Sequence, residues 1–451
     1  MSLRSSLSAF FQPHRPTPRV ERRDLILGTS LIGDRNEPVI LPEAARPTHL
    51  GIVGLTGAGK TYFLENLIRQ DIVHGTGFAL FDVHGDLSDN ILAFLATCAA
   101  QVPEIADRVL LVEPFDPRHS IGFNPLEPTS GTSAHLQAQE LAHVLRSRWE
   151  MKSFGPRTEE LLHHALYTLS LNSLTILELS SLLTSRRFRH KLLAPLQDPV
   201  VLQYWRTRFD PLSPAMQRVV SGPILTKIST FLAHPHIRDI LAQARSTISF
   251  RSAIQQGLWL IINLSKGKLG EANSHILGSL LFTKLTLDVM AQAGIPESER
   301  RLFCVYADEL QNLVGAHVAT LISEARKYRV ALTTGQQFWT QLTPNMRAAV
   351  LAMGSHLFFR LHYDDAYQLA PALDPARRTF YAQELTNLSR GQAYFRSAHH
   401  PPAFLNVLPH RPAHPSFQQL ASLRTHSRLR HTRPRAEISR ELLSRYSLTS
   451  P

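Results

Sequence analysis

The sequence of 451 residues holds only two cysteines, Cys98 and Cys304, far apart and each inside an apolar stretch. That scarcity supplies neither a disulfide framework nor a zinc site, and both thiols read as core. Long hydrophobic runs are missing too. The longest, LWLIINL at 258–264, falls well short of the roughly 18 apolar residues a spanning helix needs and reads as a buried strand. The opening MSLRSSLSAFFQPHRP breaks into Arg and Pro before an apolar core develops, so it lacks a signal-peptide pattern. The expectation is a cytoplasmic protein that reaches an inner membrane only through a partner. Acid is the other shortage: 36 Asp and Glu stand against 48 Lys and Arg, a net charge of +12.

The excess charge sits at the ends. Residues 1–23 carry five Arg against one Glu, and residues 410–451 carry eight Arg against two Glu. Basic, Pro-containing and poor in apolar residues, these ends read as flexible arms for nucleic acid or an acidic partner, or as solvated tails that aid solubility. Between them the composition, 43% hydrophobic and 19% charged, is that of a globular protein and excludes disorder throughout. The 22 histidines form no metal-ligand spacing; His163-His164 falls in a helical pattern and His399-His400 precedes a Pro pair. Surface or core roles suit them.

After the basic arm (1–24), DLILGTSLIG and PVILPEAARPTHLGIVG read as short strands and turns. A strand at 48–54, a helix from Lys60, a strand GFALFDV, a helix after Asp86 and a strand RVLLVEP then alternate, the pattern of a parallel α/β sheet. Over 133–245 the apolar period becomes helical, as in EELLHHALYTLSL and QRVVSGPILTKISTFL. Strands are expected again at TISF, LWLIINLS, RLFCVYAD, YRVALTTG and SHLFFRL. The expected organisation is therefore one nucleotide-binding core in two parts, 25–132 and 246–408, interrupted by an all-helical insertion and followed by a basic tail (409–451). No internal repeat of 20 to 50 residues is visible.

The stretch GLTGAGKT at 54–61 lies between a strand and a helix. Gly is needed where the backbone wraps a phosphate, because a Cβ would block the approach of successive N–H groups, and the following helix adds unpaired N–H groups and a positive dipole end. Lys60 would reach the β and γ phosphates of ATP, and the Thr61 hydroxyl would ligate Mg²⁺. Gly54, Thr56, Gly57, Ala58, Gly59, Lys60, Thr61 and Tyr62 form the candidate nucleotide-binding set. A P-loop alone fits kinases, switches and motors alike, so a second acidic motif must separate them. RLFCVYADELQNL puts Asp308 and Glu309 at the end of an apolar strand, where Asp308 would hold Mg²⁺ and Glu309 would polarise the attacking water as general base. In SEARKYRVALTTGQQFWTQL, Gln337 follows a strand and reads as a sensor of the γ-phosphate. Arg326, in a helical and partly polar context, reads either as a solvated arginine or as a finger acting across a subunit boundary.

These residues carry a resemblance. HLGIVGLTGAGKT, DVHGDL, RVLLVEPFDPRHSIGFNPL, IINLSKGKLGE, VYADELQNL, EARKYRVALTTGQQFWTQL and VLAMGSHLFFRLHYDDA follow one another as the blocks of the HerA-FtsK superfamily do. The similarity is greatest to the ATPase domains of type IV secretion and conjugative coupling proteins, and runs from about 25 to 408. It implies a RecA-like P-loop core with a mainly parallel sheet and a helical insertion, and a homohexameric ring threading DNA or, in relatives, serving protein export. It assigns Walker A roles to Lys60 and Thr61, Walker B to Asp308 and Glu309, the sensor to Gln337 and a trans finger to Arg326. Asp82 and His84 fall in a block that usually reads Asp-Pro-His-Gly-Asp, with Val83 in place of the Pro; they are either functional or part of a turn. Similar coupling proteins begin with spanning helices, absent here, which leaves a membrane-channel or relaxosome partner, or a soluble DNA-processing relative. SRRFRHK at 185–191 and YWRTRF at 204–209 are candidate DNA contacts or solvated helix faces, with Trp205 as core. Three functions stay open: a DNA-translocating ATPase, an export or assembly ATPase acting on protein, and a slow nucleotide switch, the last disfavoured by Glu309 and Gln337 together.

Overall fold

Runs such as LGIV, GFALFD, VLLV, WLIIN and FCVYA are apolar on both faces of a pleated strand, so they are stable only where both faces are covered. The computed structural model, which describes residues 23–32, 35–128, 132–149, 155–313, 317–398 and 400–449, buries them in one large sheet. The chain divides into two units. The first comprises residues 1–112, 251–265 and 295–427; the second comprises 113–250, 266–294 and 428–451.

The first unit begins with β1 (Leu25–Ile32), β2 (Arg35–Leu41), β3 (Leu50–Val53), β4 (Gly77–Asp82) and β5 (Val109–Val112). A two-residue strand of the second unit, β6 (His119–Ser120), comes next. The first unit resumes with β7 (Trp259–Asn263), β8 (Phe303–Ala307), β9 (Val330–Gln336), β10 (Ser355–Phe358), β11 (Gln392–Ser397) and β12 (His400–Asn406). Finally β13 (Arg433–Pro434) pairs antiparallel with β6. The main sheet has the order β2-β1-β12-β11-β10-β3-β9-β8-β4-β7-β5. From β10 to β5 seven strands run parallel, whereas β11, β12, β1 and β2 extend the sheet antiparallel. The RecA-like α/β fold expected from the sequence is thus present.

The second unit is helical apart from the β6–β13 ribbon. Its helices include Ala134–Arg148, Pro156–Leu171, Pro214–Ala233 and Glu271–Met290. Glu271–Gly294 is long and apolar enough to cross a membrane by length and composition, but 78% of its apolar window is buried within the protein. Trp205 is fully buried and its indole N–H donates to Thr168 Oγ1 at 2.9 Å, the core role expected of it.

Two stretches differ from their sequence reading. TISF is not a strand. Its Thr247 is spent on a distant loop of the same unit: Thr247 N donates to Gly122 O, and Thr247 Oγ1 accepts from Gly122 N, both at 2.9 Å. The chain after 409, read as a flexible tail, forms the helices Phe417–His431 and Arg435–Thr449. Apolar anchors and ion pairs order it. Leu423 joins the core of the first unit, while Ile438 and Leu442 are buried. Arg435 pairs with Asp239, Arg428 with Asp116 and Arg445 with Glu178. The basic arm before residue 23 lies outside the described residues.

One buried network holds the frame around the P-loop helix. Arg46 donates to both carboxylate oxygens of Asp71 at 2.7 Å, the two side chains being 3% and 0% exposed. Tyr306 donates to Asp71 Oδ2 at 2.6 Å. Asp71 belongs to the helix Lys60–His74 and Tyr306 to β8, so the network locks both to the segment before β3.

Beside it, His49 is 3% exposed, accepts from Leu332 N on Nδ1 and meets Ile322 O through Nε2, the neutral tautomer with its proton on Nε2. Burial pushes its pKa down from 6.5 to about 4. Because the unfolded chain protonates this histidine first, its contribution is complete above pH 6.5 and is lost as pH falls toward 4, roughly 3 kcal/mol in all. Urea unfolding from pH 7.5 to 4.5 should show this slope, and His49→Asn, which has no group to protonate in that range, should flatten it.

Candidate nucleotide-binding site

The order β3-β9-β8-β4 makes four strands neighbours, and each ends in a motif singled out from the sequence. β3 runs into Gly54–Gly59, β9 into Gln336–Gln337, β8 into Asp308–Glu309, and β4 into Asp82–His84. As parallel strands they deliver these residues to the same, carboxyl-terminal edge, where open α/β sheets bind ligands.

The loop after β3 turns through Gly57 and Gly59, at φ 76° and 115°, conformations an L side chain resists. Gly59 caps the helix Lys60–His74, whose first N–H groups face the loop. Lys60 is buried and its ammonium donates to Gly54 O at 2.6 Å and Leu55 O at 3.0 Å. Burial lowers its pKa, and the nearby Asp308 and Glu309 counter that by favouring the charge. The next residue, Thr61, donates to Asp308 Oδ2 at 3.4 Å. Asp308 is pushed up to about 6 by burial and by the charges of Asp82 and Glu309. The carboxylate has little room to move toward β9. A Cβ at position 335 would stand 2.9 Å from Asp308 Oδ1, which accounts for Gly335.

Glu309 adopts the left-handed conformation, φ 60° and ψ 63°, uncommon for a residue of its size. Three neighbours hold its carboxylate: His84 Nε2 at 2.9 Å, Asn312 Nδ2 at 2.7 Å and the Gln337 amide. Gln337 in turn accepts from Thr56 Oγ1 at 3.1 Å. A continuous chain therefore runs from the P-loop through Gln337 to Glu309 and His84. The preceding Gln336 is buried, and its carbonyl accepts from Gly54 N at 3.1 Å.

Asp82 serves the turn. Its Oδ1 accepts from His84 N at 3.0 Å and Gly85 N at 2.9 Å, and its Oδ2 from Ser88 N at 2.8 Å, so it caps the helix Asp86–Ala99. His84, by contrast, reaches the carboxylate of Glu309. Tyr62 turns aside: its ring stacks on His410 at 4.0 Å and its hydroxyl donates to His410 O. Arg326 is exposed and lies just before β9, a strand of seven residues and about 20 Å whose far end is Gln336. Within one chain it does not join the site.

Sequence reasoning passed over Arg360 and Arg390. Leu55 N donates to Arg360 O at 2.9 Å and Gly391 N to Ala58 O at 3.0 Å, which brings both exposed arginines to the rim of the loop. Arg360 is the penultimate residue of SHLFFRL, but only the pairing of β10 with β3 puts it there.

The donor set suits a hard divalent cation and a polyphosphate. A hydroxyl and a carboxylate offer oxygen ligands, the carboxylates outnumber the buried ammonium, and the loop presents N–H groups without Cβ atoms at Gly57 and Gly59.

Fold and site together define a RecA-like P-loop α/β core. Residues 30–207 match the family model for the central domain of helicase HerA, a similarity over less than half of the chain that agrees with the resemblance read from the sequence. Solved structures agree in fold. The unbound bacterial conjugative coupling protein TrwB superposes with a TM-score of 0.60 at 17% identity, over 86% of this chain and 90% of TrwB. TrwB in complex with the non-hydrolysable ATP analogue ADPNP gives 0.60 at 16% identity, over 92% and 94%. VirB4 of Thermoanaerobacter pseudethanolicus gives 0.58 at 13% identity, over 88% and 98%. No curated protein matches the chain in sequence.

Replacing Asp82 tests its place at the turn. Asp82→Ala leaves three N–H groups, two of them buried, without their acceptor and should cost roughly 1–3 kcal/mol in urea unfolding. Asp82→Asn, which keeps an oxygen acceptor, should cost less.

Proposed function

We propose that the protein hydrolyses ATP with Mg²⁺ and uses the energy to move DNA, working as a ring of six copies. The observation that carries this reading is the chain Thr56–Gln337–Glu309, which ties a phosphate-binding loop to a general base through one side-chain amide. A static binding module has no use for such a link. The relatives of like fold add support: TrwB is a conjugative coupling protein, solved with ADPNP and with ADP and Mg²⁺.

In this reading Lys60 exchanges the carbonyls of Gly54 and Leu55 for the β and γ phosphates, which its desolvation and its fixed place at the helix start make favourable. Thr61 and Asp308 would hold Mg²⁺, which when bound would supply charge neutralisation to the phosphates. Glu309, already fixed by His84 and Asn312, orients and deprotonates the attacking water. Gln337 exchanges its bond to Thr56 for the γ-phosphate or the water and so reports nucleotide state to β9. Arg326 completes the neighbouring copy's site, consistent with its distance from its own. The 133–245 insertion contributes phosphate contacts to the cargo.

The charge that would grip DNA is narrower than composition suggests. In the second unit Arg189 is buried and paired with Asp210, and Arg208 pairs with Glu160. Arg186, Arg187, Lys191 and Arg206 stay exposed. Together with the +12 net charge they favour phosphate contacts whose strength falls with salt and carries little sequence preference.

Steady-state ATPase rates with and without single- and double-stranded DNA, across protein concentration, test the reading. Stimulation by DNA that rises cooperatively with concentration is expected; turnover indifferent to DNA would reassign the motor to protein cargo. Lys60→Ala should abolish ATP binding, and Glu309→Gln should bind ATP while turning over about 10²–10⁴ times slower.

Arg326→Ala should bind ATP normally and lose about 10³-fold or more in rate. Mixing Arg326→Ala with Lys60→Ala protein should restore part of the activity, because one copy supplies the finger and the other the intact loop. If Arg326→Ala turns over at the normal rate, the trans role fails.

A further inference from the structure

Aromatic side chains are few among the large hydrophobic residues left exposed, and three of the four described, Tyr363, Tyr367 and Phe380, sit on one helix pair of the first unit. The pair is Tyr363–Leu373 and Arg378–Asn387, joined by the turn Pro375–Arg377. Tyr363 and Tyr367, one turn apart and 53% and 39% exposed, stack with ring centres 6.0 Å apart. The Arg378 guanidinium lies 3.7 Å over the Tyr367 ring, held by its Nε donating to Tyr367 O at 2.9 Å. Arg377 lies 4.2 Å over Phe380, itself 42% exposed.

Single exposed rings need no explanation, but a contiguous group of them marks an interaction site. This one is made of flat π faces and flat cations, with no aliphatic residue of the pair among the large exposed hydrophobics. Of the acids of the pair, Asp365 is buried and accepts from Trp339 N, Asp374 accepts from Ala376 N and Glu384 accepts from the Tyr394 hydroxyl, which leaves Asp364 as the exposed carboxylate beside the arginine and tyrosine faces. Planar faces interleaved with guanidinium groups suit unpaired nucleobases, which stack on any aromatic face, while the arginines meet the phosphates between them. A second copy of the chain or a lipid surface would call for aliphatic area that this surface lacks.

The helix bearing the tyrosines is also tied to the candidate site. His362, its N-cap, stacks on Phe338 with ring centres 6.4 Å apart, and Trp339 N donates to Asp365 Oδ2 at 3.1 Å. Both partners immediately follow Gln337. Two residues before the N-cap, Arg360 O accepts from Leu55 N of the P-loop.

We infer that Tyr363, Tyr367, Phe380, Arg377 and Arg378 form a stacking platform for single-stranded nucleic acid, joined to the nucleotide site through Phe338 and Trp339. The inference rests on the DNA-motor reading and names where that motor grips bases. Base contacts here would change as Gln337 changes partner, which is the coupling a translocase needs.

Fluorescence anisotropy on the full chain, with a labelled oligothymidylate and an abasic oligonucleotide of equal length and charge, tests it. Wild-type protein should prefer the base-containing strand. Tyr363→Ala/Tyr367→Ala should weaken that binding about tenfold or more, leaving abasic binding, basal KM for ATP and the thermal midpoint unchanged. Tyr363→Phe/Tyr367→Phe, which keeps both π faces, should bind as wild type. Equal binding of the two oligonucleotides by wild type, or unchanged binding by the alanine variant, overturns the platform. A raised KM for ATP with DNA binding intact assigns the rings to the nucleotide's base instead, and loss of assembly without loss of single-strand affinity assigns them to a neighbouring copy; either overturns the proposal. Wild-type protein that binds neither oligonucleotide nor duplex overturns the DNA reading itself.

Discussion

One buried ammonium facing several carboxylates sets the terms for the rest of this molecule. Lys60 cannot be hydrated where it lies, so the loop carbonyls of Gly54 and Leu55 and the charges of Asp308 and Glu309 must replace the lost water. The carboxylates in turn crowd one another, and Asp308 is pushed up to about 6 as a result. A site in that condition gains from a divalent cation beside the acids and from phosphate beside the lysine. Its geometry is held by hydrogen bonds that are each modest: the Asp82 cap, the partners of Glu309 and the Gln337 link to Thr56.

Keeping such a site in place requires a frame that does not yield. The parallel strands are covered on both faces, and the Arg46–Asp71–Tyr306 network fixes the far part of the P-loop helix to the strand that ends in Asp308. Cys304 takes part as a neighbour of Arg46 at 2.9 Å, and burial pushes its thiol up, as it pushes Cys98 up to about 12. Neither cysteine is therefore a nucleophile at neutral pH. At the carboxyl edge, Phe338, His362, Trp339 and Asp365 join the end of β9 to the helix pair after β10.

Where the sequence reading and the structure part, the cause is what composition cannot weigh. An arginine-rich segment with few apolar residues reads as a solvated tail. Here Ile438 and Leu442 anchor the last helix, and Arg435 meets the buried Asp239. Arg189 looked like a surface cation in SRRFRHK, yet it is inside, with Asp210 as partner and Trp205 and Phe209 against its guanidinium. TISF has strand-forming residues, but Ser246 and Thr247 use their hydroxyls to satisfy the backbone of 122–124.

The sequence by itself determined the local chemistry. A glycine-rich loop between strand and helix, a carboxylate pair ending an apolar strand and the alternation of strand and helix patterns are consequences of nearest neighbours along the chain, readable from period and residue type. Only the tertiary structure decided which strands are neighbours. The order β3-β9-β8-β4 brings residues 54–61, 336–337, 308–309 and 82–84 to one edge, and the same sheet leaves Arg326 at the opposite end of β9. Pairing across hundreds of residues is fixed by how the apolar faces pack, a global sum that no local window contains.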